Sequence, residues 1–194
     1  AFTAPATWDD SVNVLVQMAA SMRAHGHGGT LLVVPSKSEE WRALIVRPIL
    51  YAVAPAYTKL ANLIKQPPSP EGESDWQSSV RSAVEGIAGL TAVDGATVIT
   101  DQYEVLAFGA KMQRAAGSAT VEQTVLTQPI VGDQPVVVPP VQHGGTRHLS
   151  AAQFIYDQRD ALALVASQDG RFTIFAWSPC EQMVHAHRVD VLLL

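Results

Sequence analysis

Two short groups of residues have side chains suited to chemistry. The first, Asp94-Gly95-Ala96, follows a segment of helical periodicity and precedes a run of β-branched residues. A carboxylate beside glycine can approach a ligand closely, because glycine leaves the backbone uncovered. An aspartate in a turn also commonly accepts a hydrogen bond from its own backbone. The tripeptide alone therefore leaves a ligand-binding role and a structural role open.

The second group is the segment Gly144 to Ser150, with the sequence GGTRHLS, at the start of a predicted helix. The hydroxyls of Thr146 and Ser150 and the guanidinium of Arg147 can donate to phosphate oxygens, together with the free N–H groups of a helix start. This set of donors favours a polyphosphate ligand. A capped helix whose Arg147 and His148 only face solvent is the alternative interpretation.

The elements that must position these residues follow from hydrophobic periodicity and turn signals. The pattern predicts an α/β fold with a mixed central β-sheet flanked by helices in a single domain. Two adjacent strands, separated by Asp101 and Gln102, indicate a hairpin directly after Asp94. Helices are predicted at 7–23 (with Thr7 as N-cap), 49–64, 74–90 and 150–158, and strands at 30–34, 97–100, 103–108, 121–126, 136–138, 161–166 and 172–177.

Taken together, the two groups resemble the motifs of a known family. Asp94-Gly95-Ala96 and Gly145-Thr146-Arg147-His148 are similar to the Asp-Gly-Ala and Gly-Thr-Arg-His-Arg motifs of the bacterial diadenylate cyclases, which include the N-terminal domain of the DNA-integrity scanning protein. The order, spacing and flanking elements agree over most of residues 10–177. The resemblance implies that family's fold, with residues 9–194 as the nucleotide-binding domain and 1–8 as a linker or truncated end.

The resemblance also implies an activity, the condensation of two ATP molecules into cyclic di-AMP with release of two pyrophosphates in the bacterial cytoplasm. It assigns Asp94 to catalysis and to a divalent metal, Mg²⁺ or Mn²⁺, and it implies a homodimer or higher oligomer with face-to-face sites. The implied nucleotide-binding residues are Gly95, Ala96, Gly145, Thr146, Arg147, His148 and Ser150.

Three positions depart from the family pattern. Leu149 stands where the family places its second arginine, and Val93 stands where some members have a histidine that serves the metal. Where many members carry a Ser-Glu pair, only Asp157 could replace the glutamate. These departures keep a second hypothesis open, a degenerate relative that binds ATP or cyclic di-AMP as a sensor without turnover. A third is an unrelated α/β fold in which both motifs are coincidental.

The composition argues against a nucleic-acid partner and against a membrane segment. The 194 residues carry 13 basic and 18 acidic side chains, a formal charge of −5, which disfavours a nucleic-acid partner bound through phosphates. The longest apolar run, 43–57, contains Arg47 and two prolines, so we expect no membrane segment in this chain.

Three further expectations concern single residues and the chain start. The one cysteine, Cys180, excludes an intrachain disulfide and is expected to be partly buried. His185 and His187 are predicted to share a strand face, but the sequence places no third metal ligand at a suitable spacing from them. His25 and His27 are expected to be solvated. The linker-like start, Phe2 to Pro5, suggests a segment of a longer protein.

Overall fold

Nine strands form one mixed β-sheet in the computed structural model, which describes residues 14–66 and 68–189. The strand order is β2-β4-β3-β1-β7-β8-β9-β5-β6. β1 runs parallel to β3, and β5 runs parallel to β9, whereas all other neighbours are antiparallel. The strands are β1 Gly29–Val34, β2 Tyr51–Tyr57, β3 Ala96–Thr100, β4 Val105–Ala110, β5 Thr124–Thr127, β6 Val136–Val138, β7 Leu162–Ala166, β8 Phe172–Ser178 and β9 Met183–Arg188.

Helices cover both faces of this sheet. The α-helices are α1 Val14–Ala24, α2 Lys59–Lys65, α3 Glu73–Leu90 and α4 Thr146–Asp157, and short 3₁₀ helices span Glu40–Leu44, Pro70–Gly72 and Pro140–Gln142. α1, α2 and α3 pack against one face, and α4 packs with Glu40–Leu44 against the other. Because side chains alternate along a strand, Leu31 and Val33 of β1 enter the first core and Leu32 and Val34 enter the second. β1 is therefore buried on both faces, as its unbroken apolar run predicts.

Most predicted elements are confirmed, including the buried first strand, the β3–β4 hairpin, α3 and the β7–β8 pair. α4 begins at Thr146, four residues earlier than predicted, because the helix starts directly after the glycine pair. The first predicted helix is described from Val14 onward, and its proposed N-cap, Thr7, lies outside the described residues. No helix among residues 14–66 and 68–189 is long and apolar enough to cross a membrane.

The predicted helix over 49–64 is wrong in its first half. Residues Tyr51–Tyr57 form the edge strand β2, and only Lys59–Lys65 are helical. The β2–β4 register shifts between Ala52 and Tyr57, and Pro55 lies in that irregular stretch, where its missing N–H breaks no regular ladder. Proline inside a helix would instead remove a hydrogen bond and clash with the preceding turn.

The long segment between the two motifs extends the sheet. Its first part is tied to the C-terminal half of α4, where the Ala115 N–H donates to the Asp157 carboxylate (3.0 Å) and the Val121 N–H donates to Gln153 Oε1 (3.0 Å). Its second part forms β5 and β6 at the far edge of the sheet. Cys180, expected to be partly buried, is exposed because it lies in the turn between β8 and β9.

Candidate functional site

The Asp94 turn joins α3 to β3 and is held by a close backbone contact. Gly95 has φ +111°, and a Cβ at this position would lie 2.5 Å from the carbonyl carbon of Gly109 on β4. Only glycine fits such a conformation at such a distance without displacement of the backbone. The turn therefore lies against β4, and the Asp94 side chain is exposed at the end of the sheet.

The N-terminus of α4 lies beside this turn. Gly145 is the N-cap residue, and the first N–H groups of a helix have no partner within it. Thr146 and Ser150 are four residues apart and therefore lie on the same face of α4. Arg147 extends toward the α1–β1 turn, where its Nη1 lies 3.3 Å from the position that a Cβ on Gly28 would take.

The two motifs line one cavity of about 230 Å³. Asp94 and Gly95 form one side, and Thr146, Arg147 and Ser150 form the other. Ala96, the third residue of the first motif, is fully buried behind the turn. Segments about fifty residues apart in the sequence thus provide a carboxylate, two hydroxyls and a guanidinium around one space, which is the chemistry that a nucleotide with a divalent cation requires.

Sequence reasoning missed two polar residues of this cavity, Lys111 and Thr30. Lys111 directly follows β4, and the antiparallel β3–β4 pairing places the end of β4 beside the start of β3. The predicted hairpin could have identified it. Thr30 is paired with Ala96 across the parallel β1–β3 ladder, is 1% exposed, and has a hydroxyl without a hydrogen-bond partner. A buried polar group without a partner is uncommon, and a ligand in the cavity would supply one.

A second cavity of about 140 Å³ shares Thr146 and Arg147 with the first and is completed by Gly145, His148 and residues 166–168. The His148 ring is 3% exposed, its Nε2 has no partner, and it lies edge-on to Phe175 with ring centroids 6.1 Å apart. Leu149 is 39% exposed and lines neither cavity.

Comparisons with known proteins give distant likenesses only. No family model matches the chain, and no curated protein matches it at a significant level. Among solved structures, a hypothetical membrane-spanning protein from Bacillus cereus is 16% identical, with a TM-score of 0.48 over 95% of this chain and 66% of that one. DacA from Staphylococcus aureus, solved as a double mutant, is 12% identical, with a TM-score of 0.44 over 96% of this chain and 93% of that one. The chain spans just under two thirds of the first of these proteins.

Two buried histidines flank the start of α4. Burial first, and then the positive charge of Arg171, lower the pKa of His148 from 6.5 to about 4. Burial, followed by the neighbouring His148 and Arg188, lowers the pKa of His143 to about 4. Both rings are therefore neutral at pH 7, so His148 can offer a ligand in the second cavity a hydrogen bond but no charge.

These two histidines predict a loss of stability in mild acid. Both have pKa values near 6.5 when unfolded and about 4 when folded, so between these values the unfolded chain binds protons that the folded chain does not. The contribution of these two rings to the free energy of unfolding is therefore fully present above pH 6.5, and it is lost as the pH falls toward 4. Each group changes the free energy of unfolding by up to about 1.4 kcal/mol per pH unit. Urea denaturation from pH 7 to 4.5 measures this slope.

The variant that checks the pH prediction is His148→Gln, which should reduce the slope because it removes one of the buried rings. The pKa values of His25 and His187 are also lowered, chiefly by burial, so part of the slope should remain. A free energy of unfolding that is constant from pH 7 to 4.5 would contradict the burial of both rings.

His25, expected to be solvated, is instead half-buried and bonded. The Thr91 hydroxyl donates to the Ala88 carbonyl (2.6 Å), so it accepts from His25 Nε2 (3.1 Å). The Nδ1 atom of the same ring accepts the N–H of His27 (3.1 Å), and the His27 side chain is exposed as predicted. A Cβ on Gly29 would lie 2.5 Å from the Thr91 carbonyl oxygen. These contacts fix the α1–β1 turn against the turn that carries Asp94.

Acidic metal ligands are sparse at the site. In the described part of the chain, no group of three His, Cys, Asp or Glu residues is arranged to hold a metal ion. Asp157 lies at the opposite end of α4 from Thr146, about 16 Å along the helix axis. His185 pairs with Glu181, and His187 bonds Thr127 Oγ1 (2.6 Å). Among the residues that the structure describes, Asp94 is thus the one carboxylate that lines the 230 Å³ cavity.

Proposed function

We propose that this chain is a diadenylate cyclase that condenses two ATP molecules into cyclic di-AMP and two pyrophosphates. The observation that supports this most strongly is the meeting of Asp94-Gly95 with Thr146-Arg147 around a single cavity. In this proposal the Asp94 carboxylate orients or deprotonates the attacking ribose hydroxyl, and Arg147, Thr146 and Ser150 bind the triphosphate. Lys111 supplies a further positive charge at the rim. Gly145 and His148 bind phosphate oxygens from the second cavity.

Pairing of two copies follows from the size of the site. Pockets for drug-sized ligands typically occupy about 300–1,000 Å³. A cavity of about 230 Å³ therefore has room for part of one nucleotide and not for two. Two ATP molecules can react only if two copies of the chain bring their half-sites together, so that proximity replaces a bimolecular encounter. The exposed position of Asp94 suits such a face-to-face arrangement.

A divalent cation fits the side chains around Asp94. Mg²⁺ is usually bound by one or two carboxylates together with substrate phosphates and waters, and not by an all-protein cage. One carboxylate, with the hydroxyls of Thr30, Thr146 and Ser150 nearby, matches that pattern. When bound, the cation would offset negative charge on the attacked α-phosphate and on the leaving pyrophosphate. Asp94 is the residue that would hold it.

The second candidate function is nucleotide sensing without turnover, which Leu149 favours because the family's second arginine is missing there. Leu149 lines neither cavity, so its replacement of an arginine leaves the positive charges of the 230 Å³ cavity, Lys111 and Arg147, in place. That observation favours the cyclase over the sensor.

An activity assay separates the two functions. The purified chain is incubated with ATP and Mg²⁺ or Mn²⁺ over a range of protein concentrations, and cyclic di-AMP is detected by chromatography. The cyclase predicts product whose rate per chain rises with protein concentration, because a weak dimer dissociates on dilution. Tight ATP binding without product at high concentration and with either metal would favour the sensor. Absence of both binding and product would reject both functions.

Removal of Arg147 should weaken ATP binding in either case. A hydrogen bond to a charged group contributes about 1.5–3 kcal/mol, so Arg147→Ala should reduce ATP affinity about 10- to 150-fold. Isothermal titration calorimetry measures the change. Arg81→Ala, on the exposed side of α3 and across the sheet from α4, is the matched control and should bind ATP normally. Unchanged affinity in Arg147→Ala would mean that the guanidinium faces solvent.

A further inference from the structure

The segment between β6 and α4 contains a buried histidine that the proposed site does not use. His143 ends the 3₁₀ helix Pro140–Gln142 and stands directly before Gly144 and Gly145. It is 1% exposed and lines neither of the two cavities. A polar side chain that is buried so completely beside a glycine turn has a structural partner, and here the partner is Thr124.

The hydrogen bond between these two residues has a defined direction. The Thr124 hydroxyl donates its single proton to the carbonyl oxygen of Val138 (3.1 Å). It therefore accepts the contact with His143 Nε2, at 2.6 Å, which makes Nε2 the protonated nitrogen of a neutral ring. Thr124 is itself fully buried at the start of β5, where it pairs with both β6 and β9. The ring is thus anchored to the sheet and not to another loop.

The turn that follows is held by backbone bonds at its helical end, where the Gly145 carbonyl accepts the N–H groups of His148 (3.0 Å) and Leu149 (3.3 Å). Gly144 and Gly145 have no side chains to pack, and a Cβ on Gly144 would lie 2.6 Å from His148 Nδ1. His143 and His148, one before the turn and one after it, both contact the ring of Phe175 edge-on, with centroids 5.6 and 6.1 Å away. The two flanking histidines therefore pack on the same aromatic ring at either end of the turn. Of these, His143 is the one hydrogen-bonded to a strand.

We propose that His143 is a positioning residue which, through its bond to Thr124, holds the Gly144-Gly145 turn so that Thr146 and Arg147 face the nucleotide phosphates. This inference rests on the proposed function for the identity of the ligand. His143 touches no ligand itself. Its effect passes from Thr124 through the histidine and the glycine turn to the first residues of α4.

The charges around the ring agree with this role. The groups that face His143 are His148 on α4 and Arg188 on β9, and both disfavour a positively charged ring. The neutral ring with its proton on Nε2 donates to the Thr124 hydroxyl, whereas the other neutral tautomer, with its proton on Nδ1, could not. The same surroundings would disfavour a replacement that introduces a second cation beside Arg188.

The test removes the bond without removing bulk. Thr124→Val deletes the hydroxyl, Thr124→Ser retains it, and His143→Phe retains an aromatic ring without the donor. Each variant of the 194-residue chain is titrated with ATP and Mg²⁺ by calorimetry. Amide hydrogen exchange at residues 144–148 is followed in the absence of nucleotide. Since one neutral hydrogen bond corresponds to about a 2- to 10-fold change in an equilibrium, Thr124→Val should weaken ATP binding by that factor. It should also speed exchange at the turn, and Thr124→Ser should restore both values.

A destabilised control separates positioning from general loss of stability. Ile87→Val lies in the core on the opposite face of the sheet and should lower the urea midpoint with no change in ATP affinity. Thr124→Val combined with His143→Phe should lose no more affinity than Thr124→Val alone, because Thr124→Val already removes the bond to His143 together with the bond to the Val138 carbonyl. If Thr124→Val does not fold, His143→Phe reports on the same bond.

One outcome would overturn the inference about His143, and a different outcome would overturn the proposed function on which it rests. A folded Thr124→Val with wild-type ATP affinity and wild-type exchange at residues 144–148 would show that the bond does not hold the turn. Wild-type protein that binds no ATP would instead reject the proposed function. In that event the exchange measurement still decides whether the bond between Thr124 and His143 fixes the turn.

Discussion

Replacement of Asp94 by asparagine should abolish formation of cyclic di-AMP and leave ATP binding close to that of the wild type. Asparagine has nearly the same shape as aspartate, so the turn and the contact between Gly95 and Gly109 are preserved. It has no negative charge, however, so it cannot take up the proton of a ribose hydroxyl, and its neutral amide oxygen holds a divalent cation more weakly than a carboxylate does. Loss of a general base alone typically costs about 10²–10⁴-fold in rate.

The matched control for this prediction is Asp133→Asn. Asp133 is exposed in the loop between β5 and β6, remote from the cavity along the sheet, and the same chemical change there should leave turnover intact. Product formation is measured by chromatography, and ATP affinity by calorimetry, on the same preparations. Wild-type turnover in Asp94→Asn would remove the carboxylate from the mechanism and with it the main support for the assignment.

Gly95→Ala should have the largest effect on stability. A Cβ would stand 2.5 Å from the Gly109 carbonyl carbon and 2.9 Å from the Ala110 nitrogen, and both are backbone atoms that cannot rotate away. The added strain of φ +111° contributes further. We expect the free energy of unfolding to fall by about 3 kcal/mol or more, as measured by urea denaturation.

Gly117→Ala provides the comparison for Gly95→Ala. Gly117 also has a positive φ, +78°, but a Cβ there would meet no atom within 4 Å. This variant reports the backbone strain alone, which should cost about 1 kcal/mol. Equal losses in the two variants would mean that the close approach of the Asp94 turn to β4 contributes nothing.

The local elements of the fold were predictable because their signals are local. The four residues Leu31 to Val34 form an unbroken apolar run, and such a run is typical of a strand that is buried on both faces. β2 could not be identified in the same way. Its apolar residues suggested the buried side of a helix. Most of its side chains are exposed instead, because β2 is an edge strand at the margin of the sheet.

The candidate site was predictable in its motifs but not in its complete lining. Asp94, Thr146 and Arg147 belong to recognisable groups, whereas Thr30 sits in a strand whose sequence shows no chemical signal. Its position in the cavity depends on the register that pairs it with Ala96. The register between two distant strands cannot be predicted from the sequence of either strand alone. The bond between His143 and Thr124 depends in the same way on where β5 joins the sheet.

The placement of β1 between β3 and β7 has a consequence for synthesis of the chain. β1 is made before both of its neighbours, because β3 follows α3 in the sequence and β7 follows α4. Until both have emerged, the Asp94 turn has no helix N-terminus opposite it. The cavity is therefore completed only after α4 has been made. A nascent chain that stops before α4 carries the carboxylate without the residues proposed to bind phosphate, and it should not capture nucleotide.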